Sequence, residues 1–134
     1  MIYEYVAHVR KSDRTRQTLL EHLEGVASLA KTNTSKLGVN LIGELTGLLH
    51  DFGKYSHEFQ TYIQSATGFL NPDEDEEFVD AKELKGKIDH STAGAQLVWR
   101  EFSKKGRLGE IIGQILSLCL VSHHSGQNLP YYFP

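Results

Sequence analysis

The chain has a single cysteine and no long apolar run, and each absence excludes a class of protein. One thiol cannot pair within the chain, which excludes a small fold held by internal disulfides. None is needed, because a domain of 134 residues buries roughly two-thirds of its unfolded surface. Cys119 lies in an apolar stretch and reads as a core residue of a protein from a reducing compartment, so a cytoplasmic location is expected. No apolar run reaches the ~20 residues that cross a bilayer. The start, Met1-Ile2-Tyr3-Glu4-Tyr5-Val6, lacks the basic-then-apolar pattern of a signal peptide. No membrane partner is expected.

A strong excess of one charge is also missing. The formal net charge of -3 does not advertise nucleic-acid binding, but six of the seventeen acids crowd into Asp73–Asp80. Without that stretch the body of the chain is mildly basic, and bound metal would add positive charge locally. The length fits one domain over residues 1–134, with an acidic surface loop around 67–88.

What the chain has is helical periodicity. Leu19, Leu20, Leu23, Val26, Ala27 and Ala30 predict a first helix over about 15–32, with His22 facing inward or bordering the core. A second, over about 37–51, carries Glu44 as its only charge before Asp51. Leu41, Leu45, Leu48 and Leu49 form one stripe, and Gly43, Gly47 and His50 form a side that a neighbouring helix can approach, so this helix reads as central and buried. Ser56 caps a third, about 57–66, with Phe59, Tyr62, Ile63 and Ala66 inward. Residues 67–88 read as a loop with a short helix around 76–84, and Asn71-Pro72 as a turn within it. Asp89 is the expected N-cap of a helix over about 90–105, with His90 in its first turn. A last helix, about 108–123, holds Ile111, Ile112, Ile115, Leu116, Leu118, Cys119 and Val121 and also looks central. Residues 1–14 are mixed, with a short strand or extended arm. The fold class is all-α, a compact bundle of about five to six helices.

The histidines carry the chemistry. His22, His50, His90, His123 and His124, with Asp51, each border or end an apolar helical run, where an unpaired polar group is costly. A shared metal centre satisfies several of them at once. Neutral imidazole suits Fe, Mn, Co, Ni or Zn more than a pure Mg site, and a carboxylate can bridge two ions. Two ions ~3.5–4 Å apart can clamp a phosphodiester and activate water. Asp51 is the natural bridge, and Lys54, one turn beyond His50, is placed to meet a phosphate oxygen or a leaving oxyanion. Taken alone, each of these residues has a structural explanation, such as a hydrogen-bonded pair at a helix end or a histidine favouring a helix C-terminus. It is their joint placement that favours metal. His8, in the N-terminal arm, and His57, among polar residues, are assigned no role.

Three ordered motifs, His50-Asp51-Phe52-Gly53-Lys54, Asp89-His90-Ser91-Thr92-Ala93-Gly94-Ala95 and Ser122-His123-His124-Ser125-Gly126, resemble the HD-type nuclease domain of CRISPR-associated helicase-nucleases of type I systems, within the HD phosphohydrolase superfamily. His22 matches the family's first histidine, and the resemblance spans about 18–126. It implies an HD-domain-like helical fold with one or two divalent ions of undetermined identity. His22, His50 and Asp51 would hold one ion; Asp51 would bridge to a second, held by His90, His123 and His124, with Lys54 assisting. It further implies hydrolysis of single-stranded DNA in antiviral defence, with a metal-activated water as nucleophile. The implied partners are a helicase domain or subunit and a crRNA-guided targeting complex.

The family pattern continues with more helices and a late aspartate ligand, whereas no Asp or Glu follows Glu110 here. The chain is therefore expected to be truncated or incomplete, and exposed apolar surface left by missing helices would favour a dimer. Two other readings stand beside the nuclease. One is a nucleotide phosphohydrolase, which a deep, closed pocket would favour. The other is a catalytically impaired docking module for a helicase.

Overall fold

The computed structural model describes residues 4–124. It begins with a hairpin, β1 (Val6–Val9) antiparallel to β2 (Arg16–Thr18). The register runs Val6↔Thr18, His8↔Gln17 and Val9↔Arg16, so Ala7 is an extra residue and the strand is bulged. Val6 and Ala7 are both buried, Ala7 against Leu19 and Leu23. Arg14, at a left-handed φ of 60°, ties the hairpin loop to the end of the third helix through the carbonyls of Thr67 and Gly68.

Helix α1 (Leu19–Ser35) starts four residues later than the periodicity predicts. Thr18 ends β2 and caps the helix reciprocally with Glu21: the Glu21 N–H donates to the Thr18 hydroxyl, and the Thr18 N–H donates to the Glu21 carboxylate. Its inward face is Leu19, Leu23 and Ala27. Helix α2 (Asn40–Leu49) packs closely along it. Gly43 and Gly47 are its buried face, and a Cβ at Gly47 would lie 2.5 Å from the Cα of Ala27. Only glycine lets the two backbones approach this far.

A tight 3-10 turn, Phe52–Tyr55, follows, and then α3 (His57–Ala66), capped by Ser56 as expected. The inward face of α3 differs from expectation. Phe59 is buried, but so are Gln60, Thr61 and Ser65, while Ala66 is exposed. Residues 67–88 are mostly turns, with one short helix, α4 (Ala81–Leu84), in place of the expected 76–84. Helix α5 (Thr92–Phe102) begins two residues later than predicted, so His90 precedes it rather than occupying its first turn. The Asp89 carboxylate does act at this helix start, accepting from the N–H groups of Ser91 and Thr92. A 3-10 turn, Ser103–Lys105, takes over the end of the expected helix, and α6 (Gly106–Ser122) returns along α5.

Ala95 and Val98 of α5 pack with Leu116 and Leu120 of α6, backed by Ile42 and Leu49 of α2. Among the described residues helices dominate and the sheet has two strands, so the all-α expectation holds. Two expectations of burial do not. Leu41 and Leu48 of α2 are exposed, as are Leu108, Ile111, Ile115 and Leu118 of α6, and Cys119 is exposed rather than in the core. An apolar pattern on all sides shows that a helix can be buried; among the described residues no partner covers the faces that carry these side chains. Among the described residues no helix is long and apolar enough to cross a membrane.

Candidate metal centre

The seven residues singled out in the sequence come from five places in the chain. His22 lies on α1, and His50 closes α2. Asp51 and Lys54 belong to the turn that follows, His90 to the segment before α5, and His123 and His124 to the end of α6. All meet at the Asp51 carboxylate, which is 3% exposed. Its two oxygens face different partners. Oδ2 lies 3.0 Å from His22 Nε2, 3.2 Å from His50 Nε2 and 2.9 Å from Lys54 Nζ. Oδ1 lies 3.2 Å from His123 Nε2, 3.6 Å from His90 Nε2 and 3.7 Å from His124 Nε2.

Local structure aims these rings. His50 Nδ1 lies 2.7 Å from the Gly47 carbonyl, His90 Nδ1 3.3 Å from that of Ile88, and His123 Nδ1 against that of Leu120. A carbonyl only accepts, so Nδ1 carries a proton and Nε2 faces Asp51, where it donates when protonated and can bind an ion when neutral. Metal-ligating histidines are oriented in this way. The Nε2 atoms also crowd each other: His22 and His50 are 3.1 Å apart, His90 and His124 2.7 Å. Atoms bound to one ion at about 2.1 Å lie about 3.0–3.4 Å apart. The donor set thus fits divalent cations on both sides of Asp51.

The Gly53–His90 contact holds the second half of the cluster in place. The Gly53 N–H donates to the His90 carbonyl at 3.0 Å, and a Cβ at Gly53 would lie 2.6 Å from His90 Cα. Gln60 supports the first half. Its amide NH2 donates to the Lys54 and Val6 carbonyls at 2.8 and 3.0 Å, and its oxygen accepts from the Val6 N–H at 2.9 Å. Nothing in the sequence marks Gln60 for this task.

Sequence reasoning passed over one more residue. A ring nitrogen of His8, one of His22 and an Asp51 oxygen all lie within 4.8 Å of one another. The bulge at Ala7 accounts for this, since one extra residue reverses the facing of everything beyond it. His57, as expected, is exposed and takes no part in either cluster.

The electrostatics suit cation binding. Burial disfavours the Asp51 carboxylate, yet hydrogen bonds from His50 and Lys54, and their charge, hold it far below the ordinary carboxylate range. Burial, with the nearby Lys54 charge, lowers His8 and His22, and burial leads the lowering of His90 and His124. His50 moves the other way. Burial opposes its charged form, but hydrogen bonds to Asp51 and to the Gly47 carbonyl raise it above 6.5.

A lowered histidine binds protons more readily in the unfolded chain. Its stabilisation is complete above 6.5 and is lost as pH falls below it. His50 has the reverse dependence, losing its contribution as pH rises through its raised value. Four of these histidines are lowered and one is raised. The metal-free chain is therefore expected to melt at a lower temperature at about pH 5.5 than at about pH 7.5. Thermal denaturation in the presence of a chelator checks this, and an equal or higher melting temperature in acid contradicts it.

A helical bundle that gathers histidines about a His-Asp pair is the arrangement of an HD-type, metal-dependent phosphohydrolase domain. The family model described as Cas3, HD domain, matches residues 3–130, and the chain belongs to that family. Membership implies a nucleic-acid substrate and a helicase partner in CRISPR complexes. A search of curated proteins returned no match.

Proposed function

We propose that this chain is a nuclease domain that hydrolyses phosphodiester bonds of single-stranded DNA in CRISPR interference. In this reading residues 1–134 form one HD domain, acting in the cytoplasm with a helicase domain or subunit and a crRNA-guided targeting complex. The observation that carries it is the division of partners between the two oxygens of Asp51. His22 and His50 would hold one ion on the Oδ2 side, and His90, His123 and His124 a second on the Oδ1 side, with the Asp51 carboxylate shared between them.

Bound divalent ions supply an activated water and neutralise phosphate charge. The protein's own groups do the rest. Asp51 fixes the two binding positions relative to each other. Lys54, buried with its ammonium 2.9 Å from Asp51, places a positive charge where a phosphate oxygen or leaving oxyanion arrives. Beside the Oδ1 half is a cleft of about 560 Å³, lined by Gly86, Lys87, Ile88, Asp89, His90, Ser91 and His124, which among the described residues is open to solvent. An open cleft admits a polymer, whereas a nucleotide phosphohydrolase needs an enclosed pocket around a small substrate.

The test is cleavage of single-stranded DNA across a series of Mn, Co, Ni, Fe, Zn and Mg salts, beside a mononucleotide substrate. Metal-dependent cutting of the polymer is expected, with little turnover of the mononucleotide. The opposite preference would support the phosphohydrolase, and inactivity toward both with no metal uptake would support the docking module.

A further inference from the structure

We propose that His8, on β1, is a direct protein ligand of the ion on the Oδ2 side of Asp51, joining His22. The proposal rests on the metal-centre reading above and deepens it.

Three observations lead to it. His8, His22 and Asp51 each offer a ligand atom within 4.8 Å of the other two. Two atoms on opposite sides of one ion are about 4.2 Å apart at the usual nitrogen–metal distance, so a small rotation of the His8 side chain brings the set into range. The ring is at liberty to rotate. His8 is exposed at the rim of the cluster, and among the described residues its ring makes no hydrogen bond; it stands edge-on to His22 at 4.8 Å. Finally, the backbone behind it is anchored. The Ala7 bulge sets the facing of His8, and Gln60 grips Val6 through both its N–H and its carbonyl while also holding Lys54. A rigid strand carrying a movable imidazole is a suitable way to bring in a ligand once the ion is present.

The consequence is an asymmetric centre. The Oδ1 side has three histidines from the chain, two of them adjacent. The Oδ2 side has His22 and His50 from the helices, and β1 adds a third imidazole. Nitrogen-rich surroundings on both sides favour Mn, Fe, Co, Ni or Zn over Mg. The hairpin thereby acquires a function that its small size does not suggest.

The test is cobalt(II) titration of the full chain, following uptake by calorimetry and coordination by visible absorption. Wild type, His8→Ala, His8→Asp and His57→Ala are compared. His8→Ala is expected to weaken one class of cobalt site by at least about 10-fold, since even groups behind the ligands change affinity by that much. The other class should be untouched. His8→Asp should restore uptake with an altered spectrum, because carboxylate replaces imidazole as the donor. His57→Ala should behave as wild type. Melting in chelator should be unchanged in His8→Ala, separating ligand loss from misfolding. Unchanged cobalt affinity and spectrum in His8→Ala overturn the assignment of His8 while leaving the metal centre intact. No cobalt uptake by wild type overturns the metal centre itself, and His8 with it.

Discussion

Asp51→Ala is expected to abolish metal uptake and DNA cleavage together, because it removes the carboxylate common to both halves of the cluster. No other carboxylate belongs to either metal-capable group among the described residues. With Asp51 gone, the five histidines that approach its two oxygens still crowd one another, but no negative charge offsets two divalent cations. Losing one histidine ligand should instead weaken one site and spare the other. Elemental analysis and the cleavage assay on the same preparation check this, and metal-dependent cutting by Asp51→Ala would remove Asp51 from the mechanism.

The same substitution also affects folding, which the sequence does not reveal. Lys54 is 4% exposed, and its ammonium is paired with Asp51. Removing one member of a buried pair leaves the other charged and unpaired, at a cost of about 3–5 kcal/mol. Asp51→Ala is therefore expected to melt well below wild type, so inactivity alone would be ambiguous. The double variant Asp51→Ala with Lys54→Met removes the stranded charge and fills the space with a similar apolar chain. It should recover most of the melting temperature and none of the cleavage.

The histidine cluster was legible because its members sit at the ends of strongly periodic apolar runs, where the chain leaves a helix and a polar group must find a partner. His50, His90 and His123 do so through carbonyls three or fewer residues away, so much of the ring aiming is local. The hairpin was harder to see. Strands of three and four residues leave no period to measure, and the bulge at Ala7 breaks the alternation that would have placed His8. The late start of α1 could have been read from Thr18-Leu19-Leu20-Glu21, a capping-box pattern. Burial of α2 and α6 could not, because Leu41 and Ile115 look like core in composition and are exposed among the described residues. Gln60 was equally illegible. Its value lies in two hydrogen bonds with the Val6 backbone and one to the Lys54 carbonyl, contacts 54 and 6 residues away in the chain.

Gly53→Ala is expected to disable the centre without touching any ligand. The methyl carbon would lie 2.5 Å from the His90 carbonyl oxygen and 2.6 Å from His90 Cα, both backbone atoms, so no side chain can swing aside. The segment carrying His90 must retreat, stretching the 3.0 Å bond from the Gly53 N–H. Overpacking of this kind costs about 1–3 kcal/mol, a fall in melting temperature of roughly 4–12 °C. The larger effect is on geometry. His90 Nε2 stands 2.7 Å from His124 Nε2 and 3.6 Å from Asp51 Oδ1, and a shift of about 1 Å in a reacting site can lower a rate about 100-fold. Cobalt affinity should fall on the Oδ1 side only, since His22 and His50 reach Asp51 from α1 and α2. Gly25→Ala is the control: it lies within α1, a Cβ there meets nothing within 4 Å, and the change should stabilise by about 0.5–1 kcal/mol with no effect on metal or cleavage. Wild-type cleavage by Gly53→Ala would mean that the position of His90 does not govern the reaction.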